Sequence, residues 1–145
     1  MKLKIAWIGK TKEPAIQALT DDYLKRLSRY AEVEAGPLKD EPALVNQGRT
    51  SHNKRTLVLL DERGKQFSSE ELAKFLGDHQ DRNPLPLMFA VGPADGFTAQ
   101  ARQSAALVLS FGKMTLPHEL ARVVLLEQLY RAFTILKRHP YHIGH

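Results

Sequence analysis

The chain has 145 residues, a net charge of +5, an isoelectric point near 9.6 and 43% hydrophobic residues. That is the usual size of one domain with one real core, so a single domain over residues 1–145 is expected. No run approaches the roughly 18–20 apolar residues of a membrane span, and the lack of cysteine excludes disulfides, thiolate zinc sites and a cysteine nucleophile. The basic excess suits a nucleic-acid partner without proving one, because basic soluble enzymes are common.

Met1–Gly9 is apolar but short and lacks a small-residue cleavage pattern. It reads as a first strand over Lys2–Gly9, not as a signal peptide, and the cytoplasm is the expected compartment. Glu13 to Arg29 carries Ile16, Leu19, Tyr23, Leu24 and Leu27 at helical spacing, with Pro14 tolerated in the first turn. Glu32–Leu38 is a weaker second strand. Lys39 to Lys54, with Pro42, Asn46, Gly48 and Asn53, has little periodicity and reads as a loop with at most one helical turn. Thr56–Leu60 is a continuous apolar run before Asp61, the pattern of a buried parallel strand. Ser68 and Glu71 form a capping-box signature for a helix running to about Gln80. Pro86–Val91 is the next buried strand and Gly92–Gly96 a turn. Thr98 starts a short helix, Ala106–Ser110 is a strand, and Pro117 to Arg138 is the last helix. The alternation predicts an α/β domain with a mainly parallel sheet.

Ligands of such sheets sit at the carboxyl ends of the strands. Three ends are chemically pointed: Leu60-Asp61, Val91-Gly92 and Ser110-Phe111-Gly112. Gly92-Pro-Ala-Asp-Gly96 is neither a dinucleotide fingerprint nor a phosphate loop and reads alone as a turn. In the Ser110–Leu116 loop, Thr115 is a candidate cap for the last helix. Two glycine-containing loops at neighbouring strand ends could hold a flat, mostly uncharged ligand such as adenosine. On the last helix Leu125, Leu126, Leu129, Ala132, Phe133 and Leu136 make one apolar face, while Val123, Val124 and Tyr130 lie away from it. The second face needs a cover, and a homodimer is the simplest. Glu127 and Arg131 are spaced as a helix ion pair; either they are a surface pair or the arginine is held for a phosphate. His139, His142 and His145 are spaced by three, but Pro140 blocks a regular helix, and no metal is expected.

Gly92-x-x-Asp-Gly96, Leu109 to His118 (Leu-Ser-Phe-x-Lys-Met-Thr-Leu-Pro-His), Arg122 to Ala132 and His139-Pro-Tyr-His142 resemble the RlmH family of SPOUT-class methyltransferases, which methylate N3 of a pseudouridine in bacterial 23S rRNA. The resemblance covers essentially the whole chain. It implies a SPOUT-type sheet with a C-terminal trefoil knot, an obligate homodimer, S-adenosylmethionine (S-adenosyl-L-methionine) bound in the knot, and 23S rRNA of the assembled ribosome as partner. Carried over by position, the cofactor contacts would be Leu60, Gly92, Phe111, Gly112, Lys113, Met114, Thr115 and Leu116. Tyr130, Arg131, Tyr141 and His142 fall on the substrate side. His142, Arg131 and Tyr141 are the catalytic candidates, His142 for proton handling and Arg131 for anchoring phosphate or base. The family usually has Gly-Gly where this chain has Gly92-Pro93. The segment between Leu38 and Lys54 looks shorter than usual, and Ile143-Gly-His145 extends the usual end. The rival readings are a non-catalytic RNA-binding adaptor and a related enzyme acting on tRNA.

Overall fold

The computed structural model describes residues 1–47 and 54–142. The elements run β1 (Lys2–Ile8), α1 (Pro14–Leu27), β2 (Glu32–Leu38), α2 (Glu41–Gln47), β3 (Thr56–Gln66), α3 (Ser69–Arg82), β4 (Leu87–Val91), α4 (Ala99–Ser104), β5 (Leu107–Ser110) and α5 (His118–Leu136). The strands form one five-stranded sheet in the order β2-β1-β4-β3-β5. Every pairing is parallel, so all carboxyl ends share one edge.

The period-2 alternation of strand side chains sorts the core into two clusters. Leu3, Ile5, Val58, Leu60, Leu87, Phe89 and Val91 face α1, α3 and α5, where they meet Leu27, Leu72, Leu76, Leu125, Leu129 and Phe133. Ala6, Leu57, Leu59, Met88 and Ala90 face the other way, toward Leu44 of α2 and Ala101 of α4. Each fully buried leucine contributes roughly 1.5–3 kcal/mol.

Local rules place the helix starts. Ser68 accepts the Glu71 N–H at 3.0 Å and the Glu71 carboxylate accepts the Ser68 N–H at 2.9 Å, which is the expected capping box. Thr98 caps α4 through Ala101 N–H. Its own N–H and hydroxyl donate to Glu41 of α2 at 2.8 and 2.6 Å, tying the two short helices together.

Four expectations change. The segment after Lys39 holds a seven-residue helix, α2, rather than at most one turn. It is fixed by buried Leu44, by Asp40 accepting the Ala43 N–H, and by the Arg55 guanidinium, which reaches the Leu44 carbonyl. The remainder of that expected loop, residues 48–53, lies outside the described residues. β3 continues past Asp61 to Gln66, with a break in its register against β5 between Leu60 and Lys65. Gly64 sits so close to β5 that a Cβ there would lie 2.5 Å from the Val108 carbonyl carbon, so only glycine fits. Thr115 does not cap α5: Pro117 is the cap residue, no side chain caps the helix, and the Thr115 hydroxyl donates to Glu62 at 3.4 Å. Tyr130 is not an open second face, because rings from α1 and the tail cover it.

Candidate active site

A cavity of about 270 Å³ opens at the carboxyl ends of β3, β4 and β5. Leu60, Gly92, Phe111, Gly112, Met114, Thr115 and Leu116 line it, as do His118 and Ala121 from the first turn of α5. Lys113, expected among these, is exposed and not part of the lining. The walls combine apolar side chains and turn backbone with the polar side chains of Asp61, Glu62, Arg63, Asp95 and His118, chemistry suited to a flat ring system that carries polar groups at its edges.

Two loops give the cavity its shape. After β5, the Ser110 hydroxyl accepts the Gly112 N–H at 3.0 Å, closing the start of the β5–α5 loop. After β4, the Gly96 N–H donates to the Pro93 carbonyl at 2.9 Å, so Pro93 takes part through its carbonyl, and its missing N–H costs that turn nothing. Gly92 backs onto Phe97: a Cβ there would meet the ring edge at 2.9 Å.

Asp61 joins the two walls. Its side chain is only 1% exposed. Its carboxylate accepts the Arg63 N–H at 2.9 Å and the Phe97 N–H at 3.3 Å. The Arg63 and Arg102 guanidinium groups lie 3.5 and 3.9 Å away and balance its charge. The sequence marks Leu60-Asp61 as a strand end but gives Asp61 no role. The available signal is an acid terminating a fully apolar run.

The β1–α1 loop is fastened to the first turns of α5. Glu119 accepts the N–H groups of Lys12 at 2.8 Å and Glu13 at 3.4 Å, the two residues just ahead of α1. The Lys12 N–H is the main cause holding the Glu119 carboxyl below its usual range. Arg122, 1% exposed, stacks 3.9 Å over the Trp7 ring and donates to Thr11 at 2.8 Å and Thr20 at 3.4 Å. Burial lowers its pKa.

The catalytic candidates gather at the other end of α5. Arg131 donates through Nε to Glu127 at 2.7 Å, and its Nη1 lies 3.0 Å from Nδ1 of His142. Nε2 of His142 lies 2.8 Å from Glu70 at the start of α3. The Arg131 guanidinium lies 5.0 Å from the Tyr141 ring, which meets Tyr130 edge-on at 4.8 Å. Tyr130 also packs near Tyr23 and Tyr30 of the α1 side, and Tyr30 bonds Nδ1 of His139 at 2.5 Å. Burial, reinforced by a bond to Tyr23, pushes the Tyr141 hydroxyl up to about 12. Glu70 is held low, first by its own backbone N–H and then by His142.

The structure therefore brings His142, Arg131, Tyr141 and Tyr130 together, but not onto the cavity. His118 lines the cavity and Arg131 lies thirteen residues further along α5, about 20 Å at 1.5 Å per residue. Among the described residues no cluster of histidines and acids could hold a metal ion.

The family described as "Predicted SPOUT methyltransferase" matches residues 1–142. The chain is 60% identical over 146 residues to the ribosomal RNA large subunit methyltransferase H of Koribacter versatilis, covering 100% of both chains. It is 41% identical to the protein of that name from Trichlorobacter lovleyi, covering 98% of this chain and 99% of the other. Among solved structures, the tRNA (m1G37) methyltransferase of Aquifex aeolicus superposes with a TM-score of 0.59 at 12% identity, over 90% of this chain and 70% of that one. Identity that low speaks for the fold alone. The two full-length relatives carry the assignment further, and the chain belongs to the SPOUT methyltransferases and, within them, to the ribosomal RNA large subunit methyltransferase H family.

Proposed function

We propose that this protein transfers a methyl group from S-adenosylmethionine to N3 of a pseudouridine in 23S rRNA, acting on the assembled ribosome in the cytoplasm as a single-domain chain. Full-length similarity to proteins named for large-subunit rRNA methylation carries the substrate class. The cavity fits the cofactor: apolar walls from Leu60, Leu109 and Leu116 suit an adenine ring, and the turns at Gly92–Gly96 and Phe111–Thr115 present backbone groups to its polar edges. Bound there, inside a trefoil knot, the cofactor supplies an electrophilic methyl group.

The protein's share is alignment and proton handling. Holding N3 in line with the methyl group supplies much of the barrier reduction. N3 of a uracil-type ring carries a proton that must leave. His142 is the acceptor we assign, with Arg131 anchoring base or phosphate and Tyr141 as the wall. With Nε2–H donating to Glu70, the neutral imidazole presents Nδ1 to Arg131. Substrate takes the place of one of these partners. Tyr141 stays protonated near neutral pH and acts as a donor or a stacking surface, not as a base.

The roughly 20 Å between cavity and tail along α5 supports a site shared between two subunits, with one cavity completed by the tail of the partner. Exposed apolar side chains at the cavity rim and on α5 favour a homodimer: Phe111 at 37%, Met114 at 86%, Leu116 at 39% and Leu120 at 47% exposure. Radiolabelled methyl transfer to ribosomes, separate subunits and tRNA, assayed side by side, tests the proposal. Label in the 23S rRNA of assembled ribosomes is expected. Label in tRNA alone, or ribosome binding without cofactor binding, overturns it.

A further inference from the structure

We propose that the β1–α1 loop is a preformed phosphate-contact arm for the substrate RNA, with Lys10 and Lys12 as its charges. The inference rests on the rRNA reading above and adds the surface that the RNA backbone would touch.

The loop sits beside the cavity on two independent counts. Trp7 pairs with Val91 in the sheet, so the chain leaving β1 lies next to the Gly92 turn. Glu119, which follows the cavity residue His118, holds the Lys12 N–H at 2.8 Å. Arg122 grips Thr11 from the next turn of the same helix. Two charged side chains of α5 thus fix a loop more than a hundred residues away in sequence.

That fastening has a specific electrostatic result. The Glu119 carboxylate is engaged by two amides of the loop, those of Lys12 and Glu13. Lys10 and Lys12 are exposed, and no ion pair engages either among the described residues. Some cations are paired locally, such as Lys4 with Glu34, Arg26 with Asp22 and Lys74 with Asp78; what sets Lys10 and Lys12 apart from the other unpaired ones is the fastened loop that carries them beside the cavity. Exposed Glu13 is the loop's remaining acid. A rigid loop with two uncommitted ammonium groups beside a methyl-transfer cavity fits phosphates of a polyanion. Lysine heads bind these as point charges, and the ordering cost is already met by the fold.

The test compares Lys10→Ala/Lys12→Ala with a control, Lys2→Ala/Lys54→Ala, which removes the same charge from the opposite edge of the sheet. For the loop variant we expect the KM for ribosomes to rise about tenfold at moderate salt, and the dependence of log KM on log salt to weaken by roughly one to two units. Cofactor affinity by calorimetry, particle mass and kcat should hold, and Lys10→Arg/Lys12→Arg should restore KM. A second variant separates held geometry from bulk charge. Glu119→Ala makes the protein more positive yet frees the loop, so KM should rise. An unchanged ribosome KM in the loop variant, an equal effect in the control, or tighter ribosome binding by Glu119→Ala overturns the proposal. A loss confined to cofactor binding or to the dimer overturns it too. Failure of the wild type to methylate any rRNA would instead sink the reading on which it rests.

Discussion

Nε2 of His142 lies 2.8 Å from Oε1 of Glu70, so the tail is anchored to the start of α3 as well as to Arg131. His142→Ala should lower kcat by about a hundredfold or more, the range of a lost acid–base group, and leave cofactor affinity intact. Single-turnover methyl transfer and calorimetry read the two effects separately. Mixing this variant with a cavity variant such as Gly92→Leu should restore up to a quarter of wild-type activity if subunits share sites. No recovery in verified mixed dimers excludes sharing.

Asp61 is the joint between the cavity's walls. Asp61→Asn replaces one acceptor oxygen with a donor facing the Arg63 and Phe97 N–H groups. Leaving buried donors unpaired costs about 1–3 kcal/mol. Chemical denaturation should show that loss, and cofactor affinity should fall with it. An unchanged melting profile would mean that the turns hold their shape without the carboxylate.

Gly64→Ala should be more damaging than its chemistry suggests. The added Cβ would meet the Val108 carbonyl at 2.5 Å, backbone against backbone, with no side chain to swing aside. A destabilisation of roughly 3 kcal/mol follows from overpacking of this kind. Gly36→Ala, with open space around it, is the matched control on the sheet's outer strand.

Tyr141 sets a testable alkaline limit. An unfolded tyrosine ionises near pH 10, whereas the folded protein holds this proton to about 12. The raised folded value means that the stabilisation is complete below pH 10 and is lost as pH climbs through 12. Burial also raises Tyr30, so phenolate absorbance should show late-titrating tyrosine, and the last step to titrate should be lost in Tyr141→Phe. If all four tyrosines titrate together near 10, the packing of the tail described above is wrong.

Met114 and Leu120 test the dimer. Met114→Glu/Leu120→Glu puts charge where two exposed apolar side chains stand. Light scattering should then report the monomer mass while circular dichroism stays unchanged. A dimer that survives both charges must use another face.

The cavity edge is legible because Thr56–Leu60 and Pro86–Val91 are continuous apolar runs stopped by Asp or Gly, and a parallel sheet gathers such stops on one edge, although β3 itself runs on to Gln66. α2 escaped because Pro42 and Asn46 break its pattern and Leu44 is its one fully buried residue among those described. Periodicity puts Tyr130 on an uncovered face because it cannot see Tyr23, Tyr30 and Tyr141 arriving from elsewhere. The Glu119–Lys12 bond spans 107 positions and leaves no local trace at either end. Asp61 is visible as a residue and silent as a role, since Phe97 and Arg102, which tie it to the other wall, come from more than thirty residues on.

The placement of α5 has a consequence for synthesis. Leu3, Ile5 and Leu27, from the first fifth of the chain, share one core cluster with Leu125, Leu129 and Phe133, from its last fifth. Until the final helix leaves the translating ribosome, the face of β1 that it covers stays wet, and the sheet lacks its lid. Contacts this distant in sequence fold slowly. A nascent chain stalled before residue 125 should therefore stay protease-sensitive along its whole length.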